Sequence, residues 1–108
     1  MTFEKPKTDI SMITDYDGRY MEIIVRLFRR GHDGWDGNAY DLEVFLTTGG
    51  FIAAYWHKMR LVGAIMWKQD GNTCEIVHVD FKRRWRNHDF DKELIAYMHW
   101  RANSATVG

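Results

Sequence analysis

The stretch Thr73–Met98, TCEIVHVDFKRRWRNHDFDKELIAYM, decides how this chain is read. Cys74 to Asp80 is a short run rich in β-branched and apolar residues, which predicts a buried strand. Phe81 to His88 is a basic loop, in which Lys82, Arg83, Arg84 and Arg86 place four positive charges within five residues. From Asp89 the spacing of Phe90, Leu94, Tyr97, Met98 and Arg101 predicts a helix to Asn103 with those side chains inward. A strand feeding a loop and a helix start suits an anionic ligand, because the first backbone N–H groups of a helix have no internal acceptor. Arginine in the loop would add paired donors for phosphate.

Upstream, Asp70-Gly71-Asn72 is a hairpin turn signal. Before it, Phe51 to His57 and Leu61 to Lys68 read as two antiparallel strands joined by a three- to four-residue turn around Lys58-Met59-Arg60. Both alternating sets of the second run are apolar, so both of its faces should be covered. Gly49-Gly50 closes a short helix predicted over Asn38 to Leu46, with Tyr40, Val44 and Phe45 as its packing side. Three glycines between Gly31 and Gly37 mark a loop. A longer helix is expected from Tyr16 to Arg30, capped by Thr14 or Asp15. It packs through Tyr20, Ile24, Leu27 and Phe28 and keeps Arg19, Glu22, Arg26 and Arg29 away from that face. Lys7 to Thr14 reads as an edge strand, and residues 1–6 as a disordered tail. The order β-α-α-β-β-β-α makes one α+β domain, residues 1–108, around a mostly antiparallel sheet.

With 108 residues, 45% of them hydrophobic, the chain can bury the core of a single domain. Fifteen basic and fifteen acidic residues cancel. No whole-protein field therefore draws it to nucleic acid or membrane, and neither is an expected partner. The single cysteine excludes an internal disulfide and fits a reducing compartment. The first residues form no apolar leader, and no run approaches the roughly 18 apolar residues of a spanning helix. A cytoplasmic protein is the expectation. The five histidines are scattered, so no metal site is expected.

The order of elements, the run Leu61-Val62-Gly63-Ala64-Ile65 and the strand Cys74–Asp80 with its arginine-rich loop resemble the GNAT superfamily of acyl-CoA N-acyltransferases. The resemblance spans about residues 10–103. It implies that this strand is central, that its backbone at Val77 and Val79 holds the acyl-pantetheine arm, and that acetyl-CoA is the cofactor. In the histone-acetylating branch the strand reads close to A-E-I-V, and the glutamate is the general base. Cys74-Glu75-Ile76-Val77 matches that piece, which puts Glu75 on the catalytic carboxylate. A base there needs a raised pKa, which burial would supply. The family's phosphate loop, Q/R-x-x-G-x-G/A, falls on Arg86, with Asp89 and Asp91 on its two glycine positions.

Those aspartates cut against the family's chemistry. Glycine lets the backbone approach the pyrophosphate, whereas aspartate adds a Cβ and a charge. At about 4 Å and an effective dielectric near 20, two like charges repel by roughly 4 kcal/mol. Helix capping is the simpler role for both residues. Arg83, Arg84 and Arg86 are the candidates to replace the lost phosphate contacts. The family also continues past this helix with further strands, whereas only Ala102–Gly108 follow here. That implies a shortened fold whose open sheet edge is covered by a protein partner or a second copy. Two functions follow: a degenerate, non-catalytic binding, inhibitory or assembly module, or an acetyl-CoA-dependent N-acetyltransferase using Glu75. By strand alternation His78 should lie opposite Glu75, beside Cys74 and Ile76, as a packed core residue. Trp35 and Tyr40 border the acceptor side of the family's cleft.

Overall fold

The structure, a computed structural model, describes residues 9–13, 18–31, 36–71, 73–86 and 89–107. The elements are β1 (Asp9–Met12), α1 (Gly18–Gly31), α2 (Ala39–Thr47), β2 (Gly50–His57), β3 (Arg60–Asp70), β4 (Thr73–Phe81), a 3-10 turn (Arg83–Trp85) and α3 (Phe90–Val107). Their order is the predicted one. All four strands pair antiparallel with their sequence neighbours, β1-β2-β3-β4.

The sheet carries α1 and α2 on one face and α3 on the other, and each face has its own apolar cluster. Met21, Ile24, Leu27 and Phe28 of α1 and Leu42 of α2 pack over Ile52, Ala54, Leu61 and Ala64. Leu94, Tyr97 and Met98 of α3 pack over Tyr55, Val62, Ile65, Trp67 and Phe81. Hence β3 is buried continuously from Leu61 to Trp67, because its two apolar sets serve two cores.

Several faces differ from the sequence expectation by one position. On α1, Met21 and Val25 are buried while Tyr20 is partly exposed and stacks edge-on against Trp56. On α2, Leu42 is buried and Phe45 and Leu46 pack beside it, whereas Tyr40 is 69% exposed. A capping box marks the start of this helix. Asn38 Oδ1 accepts the Asp41 N–H at 3.0 Å while Asp41 Oδ2 accepts the Asn38 N–H at 2.8 Å. On α3, Ala102 is buried and Arg101 is exposed. The expected caps Thr14 and Asp15 of α1, and the loop residue Trp35, lie outside the described residues.

The β2–β3 connection is tighter than predicted. His57 pairs with Arg60, so only Lys58 and Met59 turn the chain, at φ +50° and +65°. Positive φ at both central residues is the signature of a type I′ turn, whose twist matches the strands it joins. In β3 the register shifts at Val62, and its carbonyl accepts the Lys82 N–H at 2.8 Å. This bond ties the start of the basic loop across the end of the sheet.

The largest correction concerns β4. It is not a buried central strand but the outer strand of the four, with Glu75, Ile76 and Val77 exposed. β-branched residues suit any pleated surface, so their density does not separate an edge from a centre. Opposite β3, Ile76 pairs with Trp67 and His78 with Met66, leaving Val77 as a one-residue bulge. Alternation is therefore reset. Cys74 packs toward α3, whereas His78 turns to the α1 face and meets the Phe28 ring edge-on at 4.4 Å. Glu75 pairs with Lys68 and His78 with Met66, so Glu75 and His78 share one face instead of opposing.

Candidate functional site, a basic cleft at the end of the sheet

The C-terminal end of β4 is built around a buried carboxylate. Asp80 is 6% exposed and is the buried charged residue among those described. Its Oδ1 accepts the Phe81 N–H at 2.8 Å and lies 3.7 Å from Arg86 Nε; its Oδ2 lies 4.0 Å from His78 Nε2. Buried charge persists only where hydrogen bonds and counter-charge compensate its lost hydration, and this carboxylate has both. Arg86 Nε also donates to the Phe81 carbonyl at 3.0 Å. Two anchors thus fix the root of the Arg86 guanidinium while leaving its side chain 40% exposed.

The 3-10 turn then sorts the basic residues. At three residues per turn, side chains three apart are eclipsed. Arg83 and Arg86 accordingly point the same way, toward α1, while Arg84 and Trp85 turn to the other side of the loop. The turn is held by Trp85 N–H donating to the Lys82 carbonyl at 2.8 Å.

On the α1 side lies a cleft of about 760 Å³. Ile23 and Leu27 give it apolar walls and Phe81 borders it; Arg26, Arg30, Lys82, Arg83 and Arg86 supply five cations, and no carboxylate lines it among the described residues. Arg26 and Arg30 are one helical turn apart, which sets them side by side facing the loop. Sequence reasoning assigned Arg26 to a solvated face and gave Arg30 no role. Their i, i+4 spacing was visible; the loop opposite, more than fifty residues away, was not.

The remaining sequence candidates separate. Arg83 and Arg86 line this cleft, whereas Arg84 lies on the opposite side with Arg60. Asp89 and Asp91 are exposed and line neither cavity; Asp89 pairs with Lys92 at 3.6 Å. Val79 is packed into the α3-side core, and Val77 is 47% exposed at the bulge. Glu75 is exposed, so the burial expected of it is missing. Phe81 to Val77 spans about 13 Å of strand at roughly 3.3 Å per residue. Phe81 is the β4 residue that lines the cleft, so the bulge and then Glu75 lie farther back along the strand. Cys74 is part-buried, and burial pushes its thiol upward. That opposes nucleophile chemistry. The bulge has moreover placed His78 on the other face of the sheet.

No family model matches the chain, and no curated protein matches it in sequence. Among solved structures it superimposes on the aminoglycoside 6′-N-acetyltransferase from Enterococcus faecium with a TM-score of 0.71 at 20% identity. The match covers 88% of this chain and 54% of the enzyme. The chain has a GNAT-like fold. It spans about half the length of that acetyltransferase. Within a GNAT-like fold, the basic cleft sits where β4 runs into the loop before α3. No helix among the described residues is long and apolar enough to cross a membrane.

Proposed function

We propose that this GNAT-like domain is a binding module whose ligand is a phosphate-bearing group of the coenzyme A class, held in the cleft between α1 and the β4–α3 loop. The observation that carries this is the convergence of Arg26, Arg30, Lys82, Arg83 and Arg86 on one cavity without a lining carboxylate. Five like charges repel one another in the free protein, and a pyrophosphate would relieve that repulsion while accepting paired guanidinium bonds. The apolar wall of Leu27 and Ile23 suits a thin, partly apolar arm. The outer edge of β4 presents backbone N–H and C=O groups that could receive such an arm, or a strand from a protein partner, by edge addition.

The aspartates at the two glycine positions of the family loop would weaken a loop-based phosphate grip. In this reading the arginines of α1 and the 3-10 turn take over that task. The exposure of Glu75 favours binding over transfer. A second reading, acetyl transfer with Glu75 as general base, draws on the bulge at Val77, which brings Glu75 and His78 to one face near the free edge.

Thermal unfolding with and without coenzyme A and acetyl-CoA tests the first reading. Ligand at about a hundred times its dissociation constant adds about 2.7 kcal/mol of stability. That corresponds to a rise of roughly ten degrees or more for a domain of this size. The rise should vanish in R26E/R30E, whose changes are on the exposed side of α1. No rise in the wild type at millimolar ligand would refute the proposal. Acetyl transfer by the wild type that E75Q abolishes, with binding intact, would establish the second reading.

A further inference from the structure

A second cleft, of about 550 Å³, lies across the loop from the first, on the α3 side of the sheet end. Arg60 at the start of β3, Lys82, and Arg84 of the 3-10 turn supply its cations. Its other wall is aromatic. The rings of His57 and Trp85 are 4.7 Å apart at 55° and those of Trp85 and Phe90 are 5.2 Å apart at 51°, so three aromatic side chains adjoin along it. No carboxylate lines this cleft among the described residues. We propose that it binds a nucleoside phosphate, with the base stacked on the Trp85–His57 wall and the phosphate between Arg60, Lys82 and Arg84.

The pairing of features selects this ligand class. A bare phosphate or an acidic peptide would satisfy the cations and leave the rings unused. An apolar ligand would leave three cations facing it. A base with a phosphate attached uses both, since bases stack on aromatic faces and phosphate takes bidentate arginine. The volume falls within the range of small-molecule sites. The two clefts share only Lys82. The proposal does not depend on the coenzyme reading, because a free nucleoside phosphate satisfies it. If coenzyme A does bind next door, its own phosphoadenosine end is a second source of the same chemistry.

Calorimetric titration with adenosine 3′,5′-bisphosphate, which has no acyl arm, tests the site. R60E/R84E is the informative variant, because both side chains are exposed and their reversal leaves the core untouched. Affinity should fall about tenfold or more in R60E/R84E and in W85A, and should change little in R26E/R30E. Three results would overturn the proposal: no binding to wild type at millimolar bisphosphate, loss only in R26E/R30E, or equal loss in both charge-reversed variants. Titration with coenzyme A then separates the sources. Weaker coenzyme A binding in R60E/R84E assigns the cleft to the coenzyme's own adenosine end. Unchanged coenzyme A binding, beside lost bisphosphate binding, assigns it to a separate nucleotide.

Discussion

Gly63 is the position where one added methyl group should do the most damage. It faces Phe81 across the β3–β4 ladder, and a Cβ there would stand 2.3 Å from Phe81 Cε2 and 2.4 Å from Cδ2. Ordinary contact begins near 3.4 Å, so the ring would have to retreat by about an ångström or more. It has little room to do so. Phe81 is buried, edge-on to Tyr55 at 5.5 Å, and backed by Phe90 at 6.3 Å. Overpacking of this kind costs about 1–3 kcal/mol, and the fixed neighbours argue for about 2. For a domain of this size that lowers the thermal midpoint by roughly 8–16 °C. Urea unfolding of Gly63→Ala, Phe81→Ala and the double variant measures it. Phe81→Ala alone should cost about 3–5 kcal/mol. In that background the Gly63 methyl enters vacated space, so its cost should fall to near zero, a coupling of about 2 kcal/mol. A neutral Gly63→Ala, or an equal penalty in both backgrounds, would refute the reasoning. Because Phe81 borders the first cleft and its carbonyl holds Arg86, Gly63→Ala should also weaken phosphate-bearing ligands.

Asp80→Asn removes the charge facing Arg86 and His78; it should lower stability by about 1–3 kcal/mol, seen in urea unfolding, and weaken coenzyme A binding in calorimetry. Tyr55→Phe deletes the 2.5 Å hydrogen bond to Glu93 Oε2, and a loss of about 1.5–3 kcal/mol is expected for a bond to a charged acceptor. Lys58→Asn with Met59→Gly should raise the thermal midpoint, since the left-handed conformation costs an ordinary residue roughly 1–2 kcal/mol and this pair is the preferred type I′ sequence. Burial holds the Cys74 thiol above its ordinary range, so less thiolate is present at pH 8 and alkylation by iodoacetamide should run slower than for free cysteine, recovering to the free rate in urea.

The element order was legible because strand and helix periods differ and because turn residues stand where they are needed. The continuous apolar run of β3 announced two cores. Helix faces were less legible. On α2, Tyr40-Val44-Phe45 and Leu42-Phe45-Leu46 both fit a helical period, and packing into the α1-side core chooses between them. A bulge leaves no mark in a run such as Cys74–Asp80, so alternation places His78 on the wrong face. The site was half legible. Local charge density identified the loop, but not that a 3-10 turn would divide it between two clefts, nor that Arg26 and Arg30 would complete the first. Those facts depend on contacts between elements far apart in sequence.

Seven of the fifteen lysines and arginines line the two clefts: Arg26, Arg30, Arg60, Lys82, Arg83, Arg84 and Arg86. The rest of the sequence keeps eight against fifteen carboxylates, so a molecule of zero net charge carries a local excess of positive charge at the two clefts. Such a particle behaves unlike its isoelectric point. At pH 7 it should be retained on a cation exchanger, presenting one end to the resin, and released by modest salt as screening shortens the field to about 10 Å. In free solution the same asymmetry turns the molecule as it nears a polyanion. The cleft end would then arrive first, before any specific contact has formed.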